Sequence, residues 1–212
     1  MENEDQRVLR FLEYVNTTCE NSGVLIEMMD VTHFIVRNQK VYAYFEPPSL
    51  GPPLAVGTIY IAIGSSSPHP LHKLVHEFGH FTQWSEGAEV WLIRRYMYER
   101  YMEMAARKKK IPNNERAGVR RSIRALELDC EQRAVALIKT WDLPLDVSEY
   151  TQYANAHIWW HSLAVEHAAS GIRHPFHTPP IDPSIVALCP KEFLDDYNDV
   201  PQFFRDACAK KP

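Results

Sequence analysis

Apolar positions along the chain follow two different rhythms. Over residues 4–18, Val8, Leu9, Phe11, Leu12 and Val15 recur at helical spacing and Asn21-Ser22-Gly23 closes the run, which predicts a first helix. Between 24 and 63 the rhythm shortens. Runs at 24–29, 32–37, 41–45 and 55–63 are rich in Val, Ile, Tyr and Phe and separated by turn formers, which predicts short strands of a small sheet. Pro47, Pro48, Pro52 and Pro53 have no N–H for a sheet ladder, so the segment around them reads as a loop. From Leu71 onward the period returns to that of a helix, with helices expected at 70–84, 87–107, 117–141 and 147–169. Pro175, Pro179, Pro180 and Pro183 then impose an extended stretch, and short helices are expected near 190–197 and 201–210. This is an α+β pattern in a single domain, residues 1–212: a small N-terminal β-sheet followed by a mainly helical second half.

Composition narrows the class. With 212 residues, 45% hydrophobic and 24% charged, the chain has the balance of a soluble globular protein. A core of this length buries about 70% of the surface that the unfolded chain exposes, so a metal is not needed to hold it together and any metal is expected to be functional. The longest apolar run, 54–63, is broken by Gly57 and Thr58 and falls short of the roughly 18 residues that span a bilayer. The acidic start, Met1-Glu2-Asn3-Glu4-Asp5, does not read as a secretory signal, and a cytoplasmic location is expected. Cys19, Cys130, Cys189 and Cys208 form no Cys-x-x-Cys pair, which points to reduced thiols rather than a disulfide framework or zinc ribbon. A net charge of −4 gives no global attraction to nucleic acid.

The candidate chemistry starts at His76-Glu77-Phe78-Gly79-His80, an H-E-x-x-H sequence. Positions i and i+4 of an α-helix differ by about 40° around its axis, so His76 and His80 can turn two imidazoles toward one ion. Glu77, about 60° beyond His80, can reach a metal-bound water. Leu74, Phe78 and Phe81 fall on the opposite side and would anchor the helix in a core.

A catalytic zinc takes a third protein ligand and keeps one position for water. On the helix expected at 117–141, Ile123, Leu126, Cys130, Ala134, Leu137, Ile138 and Trp141 lie within about −100° to +20° of Glu127. Glu127 therefore sits in the apolar arc, where a metal would compensate its charge, and it is the expected third ligand; pairing with Arg124 or another base is the alternative. Glu131 is on the edge of that arc, placed to accept the remaining ring N–H of a ligating histidine, while Asp129 should be solvated. Glu86, ten residues after His76, is a rival ligand with metzincin spacing. Gln83 stands where that architecture needs Gly, which argues against it.

His76-Glu77-Phe78-Gly79-His80 followed by Glu127-Leu128-Asp129-Cys130-Glu131 resembles the gluzincin arrangement of H-E-x-x-H plus a downstream Glu-x-x-x-Asp/Glu. Within that clan the chain is most similar to minimal single-domain metallopeptidases of the ImmA/IrrE-like and phage-encoded kind. The resemblance implies a zincin-like fold and a Zn2+ ion held by His76, His80 and Glu127. It also implies Glu77 as general base in the hydrolysis of a protein or peptide substrate. Such an enzyme needs a donor for the oxyanion. On the helix expected at 147–169, Tyr150, Tyr153, His157, His161, Ala164 and Ala168 share one face, and His157, His161 or Tyr153 can serve, unless the face is simply packed core. A second metal between His157 and His161 lacks a third ligand at readable spacing. His167, His174 and His177 carry no pattern.

Arg107-Lys108-Lys109-Lys110 with Arg116, Arg120, Arg121 and Arg124 makes a basic stretch, read as a solvated interhelical loop or as a contact for nucleic acid or an acidic partner. The competing functions are a zinc-containing binding or regulatory protein without peptidase activity, working through basic loop 107–124, and a zinc hydrolase of another kind, such as a deformylase. Cys19 lacks the Gly-Cys context that a deformylase uses.

Overall fold

The computed structural model describes residues 3–36, 39–48, 56–64, 69–93, 112–169 and 182–209. The basic run 107–110, most of the helix expected at 87–107, and Pro52, Pro53, His174, His177, Pro175, Pro179 and Pro180 lie outside the described residues. The chain divides into two compact units, one of residues 1–86 and 130–147, the other of 87–129 and 148–212. The expected α+β class is observed, with a small N-terminal mixed sheet and a mainly helical second half.

In the first unit, helix α1 (Glu4–Glu20) begins at Asn3, where a capping box with Gln6 satisfies amides that the first turn leaves over. It buries Phe11, Val15 and Cys19, a strict i, i+4, i+8 stripe, whereas Leu9 is exposed and takes no part in the face that its spacing suggested. The sheet has the order β1-β5-β4: β1 (Val24–Met29) runs parallel to β5 (Gly57–Ala62), and β4 (Ala43–Glu46) runs antiparallel to it. Central β5 is buried along nearly its whole length, as expected of a strand with both faces covered. Gly57 is required there, since a Cβ would lie 2.5 Å from Pro48 Cδ.

The run expected as one strand at 41–45 is split in the structure. β2 (Phe34–Val36) and β3 (Gln39–Val41) form a separate antiparallel pair, the chain bends at Tyr42, and β4 then joins the main sheet. Ala62 N–H donates to Tyr42 O at 2.9 Å, which fixes the bend where the strand changes partners.

Helix α2 (Pro70–Ser85) packs on β4 and β5. His69 caps it, with Nδ1 accepting from Leu71 N–H at 3.2 Å, and Pro70 occupies the first helical position, where no N–H is needed. Leu74, Val75, Phe78 and Phe81 are buried, and Phe78 stacks on Phe81 with centroids 5.2 Å apart. The expected apolar anchor of this helix is therefore present. Lys73 is buried as well; its Nζ donates to Ala62 O at 2.6 Å, and burial lowers its pKa.

Helix α3 (Asn113–Thr140) contributes its last part to the first unit and the remainder to the second, the division falling between Asp129 and Cys130. In the first unit Trp141 packs on Phe11 and Tyr14 with centroids 5.8 and 4.9 Å away, and Asp142, in the left-handed region at φ 47°, pairs with Arg7.

The second unit is built around α4 (Val147–Ala169), whose Ile158, Trp159 and Leu163 pack with Ile185, Tyr197, Val200, Phe204 and Cys208. Two expectations are corrected here. Residues 190–197 are not helical: Asn155 donates to Pro190 O and Glu192 O, and Gln152 to Ala187 O and Cys189 O. Amide side chains of α4 thus take over carbonyls that a helix would have used. Pro183, expected in an extended stretch, instead opens the short helix α5 (Pro183–Val186) behind an Asp182 cap. Helix α6 (Gln202–Ala209) ends the described chain close to its expected place.

Two arginines of the basic stretch are structural. Arg120 binds Glu166 at 2.6 Å, and Arg124, buried, donates to Tyr197 O and to Asn198 Oδ1. Among the described residues no helix is long and apolar enough to cross a membrane.

Candidate metal centre

Among the described residues, potential metal ligands gather on helices α2, α3 and α4 within each unit. In the first unit, the i, i+4 spacing of α2 brings the His76 and His80 rings to a centroid separation of 4.7 Å, edge to face. Each ring is held from behind. His76 Nδ1 lies 3.1 Å from Glu131 Oε1, and His80 Nδ1 lies 2.9 Å from Gln83 Oε1. Both acceptors are buried, with Glu131 1% and Gln83 0% exposed. A carboxylate or amide oxygen facing Nδ1 keeps the proton on that nitrogen and puts the ring's lone pair on Nε2, the preparation that a ligating histidine needs.

Electrostatics supports the same arrangement. Burial alone would favour neutral His76, but Cys130 and Glu131 outweigh it and hold the pKa well above its ordinary value of 6.5. A positive charge is thus favoured at His76, a second proton on Nε2 or a metal ion in its place. At His72, one turn earlier, burial and His69 outweigh Glu131 and lower the pKa, so that ring stays neutral.

Cys130 gathers with His76 and His80 as a possible third ligand, but its nearest contact is of another kind. Its Sγ donates to His76 O at 3.1 Å, and a Cβ on Gly79 would meet Cys130 O and Sγ at 2.9 Å. Gly79 is the gap that lets Cys130 lie against the backbone of α2, which in turn sets Glu131 beside His76. Glu77, also buried, follows His76 directly on the same helix. Glu86 forms an ion pair with Arg133 at 2.6 Å.

In the second unit, Glu127 is buried and lies 3.9 Å from both His157 Nδ1 and His161 Nε2. The two histidine rings present Nε2 to Nε2 at 3.2 Å. Trp160 flanks them, its ring 4.9 Å from that of His161 and 6.5 Å from that of His157. Of the alternative partners for Glu127, Arg124 is committed to Tyr197 O and Asn198, while the two imidazoles are bases of the kind that the alternative allowed. Asp129, expected to be solvated, is half-buried.

Sequence reasoning missed three features of these groups. Gln83 was legible in principle, since an amide three residues after a helical histidine shares its face. The contact of Cys130 with Gly79 depends on how two distant segments approach, and no spacing encodes it. The gathering of His157 and His161 on Glu127 required knowing which face of α4 meets α3. Comparison with known family models, curated proteins and solved structures gives no match.

Proposed function

We propose that this protein is a zinc-dependent peptidase of the gluzincin kind, with His76 and His80 as metal ligands and Glu77 as general base. The observation that supports it most is the pair of acceptors behind the histidines, Glu131 on His76 Nδ1 and Gln83 on His80 Nδ1. Two imidazoles one helical turn apart with their Nε2 lone pairs prepared in the same way suit a borderline divalent ion such as zinc. The third ligand in this reading is Glu127, by its place in the apolar stripe of α3 one turn before Glu131. When bound, zinc supplies Lewis acidity, lowering the pKa of a water and polarising a carbonyl.

The remaining steps belong to the chain. Glu77 takes the proton from the attacking water and passes it to the amine nitrogen as the peptide bond breaks. Its burial at 5% exposure strengthens its electrostatic coupling to whatever charge develops beside it. Glu131 and Gln83 keep both rings in one tautomer and orientation throughout. His157 and His161 remain the proposed donors toward the oxyanion.

The test is Glu77→Gln, assayed on a degenerate peptide mixture by mass spectrometry with zinc content measured in parallel. The expected result is zinc retained at the wild-type level and cleavage reduced by about 10²- to 10⁴-fold. Cleavage by neither protein, with zinc retained by both, would replace the peptidase with a zinc-containing binding protein.

A further inference from the structure

The second unit carries a ligand set that its sequence spacing did not reveal. Two Nε2 atoms facing each other at 3.2 Å repel unless something positive lies between them, a proton or a metal ion. The separation matches that of neighbouring ligand atoms around a tetrahedral zinc, about 3.3 Å for bonds of about 2.0–2.1 Å. Glu127 adds a carboxylate within 3.9 Å of both rings and gives the group the net negative charge that favours a cation. The side chains are 14%, 23% and 8% exposed at His157, His161 and Glu127, so the group is mostly desolvated yet an ion has a way in.

We propose that Glu127, His157 and His161 bind a divalent transition-metal ion of the Zn2+ or Co2+ type in the second unit, in addition to any ion held by His76 and His80. Two imidazoles and one carboxylate select such ions over Mg2+ and Ca2+, which prefer all-oxygen ligands. No acid follows the first histidine here: Ile158 takes the position that Glu77 has in α2, and it is fully buried in the core. The group therefore binds a metal without a general base of the H-E-x-x-H kind.

This proposal shares Glu127 with the ligand set given above and, because a ring bound to a metal through Nε2 has no proton there to donate, takes His157 and His161 out of the oxyanion role; the two histidine pairs separate the readings. The experiment is a Co2+ titration of the full chain, read by calorimetry for stoichiometry and by tryptophan fluorescence. Wild type is expected to take up two equivalents, His157→Asn/His161→Asn one, and His76→Asn/His80→Asn one. In the last variant Co2+ should quench fluorescence through Trp160, and adding Trp160→Phe should remove that quenching. This second readout needs no change to the α4 histidines, so it stands even where their substitution prevents folding.

Unchanged stoichiometry in His157→Asn/His161→Asn would overturn the proposal. So would a single equivalent in wild type that both double variants lose, which would mean one shared centre. Binding that persists at the wild-type level in His76→Asn/His80→Asn but is lost in His157→Asn/His161→Asn would instead sink the peptidase reading and leave this one standing.

Discussion

His76/His80 in α2 and His157/His161 in α4 share a spacing of four residues and nearly the same ring geometry, with centroids 4.7 and 4.6 Å apart and interplanar angles of 83° and 74°. Their surroundings differ. In α2, Glu131 and Gln83 stand behind the rings at Nδ1, and a glutamate follows the first histidine. In α4 the rings face each other through Nε2 beside Glu127, and an isoleucine follows. Helical spacing is enough to pair two imidazoles; the atoms around them decide whether the pair is prepared for catalysis or only for binding.

The sharpest way to break that distinction is to remove the supports in α2. Glu131→Ala and Gln83→Ala should each weaken zinc binding at His76 and His80 by about 10- to 100-fold, with Glu131→Asp recovering part of the loss. Calorimetry in the His157→Asn/His161→Asn background isolates the effect. Equal affinity in all of these variants would mean that the buried acceptors serve packing alone.

A smaller effect is expected at Gly79, where an added methyl would meet Cys130 backbone and sulfur at 2.9 Å. Gly79→Ala should destabilise the fold by about 1–2 kcal/mol, because backbone on one side cannot yield as a side-chain tip would. Thermal denaturation checks this, and no change in melting temperature would show that the two segments have room to separate. A helix-propensity gain of about 1 kcal/mol from Gly to Ala works in the opposite direction and sets the lower end of the range.

The least effect concerns the second unit away from its histidines. Glu166 accepts from Arg120 at 2.6 Å and Arg205 at 2.7 Å. Burial would raise its pKa, but the hydrogen bonds and charge of Arg205 and Arg120 prevail and lower it below the ordinary 4.5. A carboxylate depressed in the folded state stabilises above its unfolded value, and that stability is lost as pH falls through the lowered folded value. Glu166→Gln should therefore cost about 1 kcal/mol near neutrality, partial exposure of the arginines limiting the figure. The difference from wild type should shrink as pH drops below about 4.5, and denaturant titration at several pH values measures it.

Much of this was legible in the sequence because periodicity reports local geometry. The bounds of α4 matched the expected 147–169, and β1 matched 24–29. The H-E-x-x-H helix and the burial of Glu127 and Glu131 followed from the apolar stripes in which they sit. What failed was non-local. The bend at Tyr42 depends on a bond to Ala62, and the irregular path of 190–197 depends on amides that α4 supplies. Leu9 obeyed the helical period but faces solvent, because a spacing rule fixes a face only to within one residue on either side. The gathering of His157 and His161 on Glu127 likewise arises from long-range packing, which leaves no trace in residue spacing.

In the proposed site His76 and His80 bind metal through Nε2 while Glu131 and Gln83 retain the protons on Nδ1. Long-range proton–nitrogen NMR of the imidazoles, recorded before and after zinc is added, reads both nitrogens of each ring directly. Nε2 of both histidines is expected to move to the metal-bound range while both Nδ1 atoms stay protonated. Rings whose Nε2 signals do not respond to zinc, or whose Nδ1 atoms bind it instead, would contradict it.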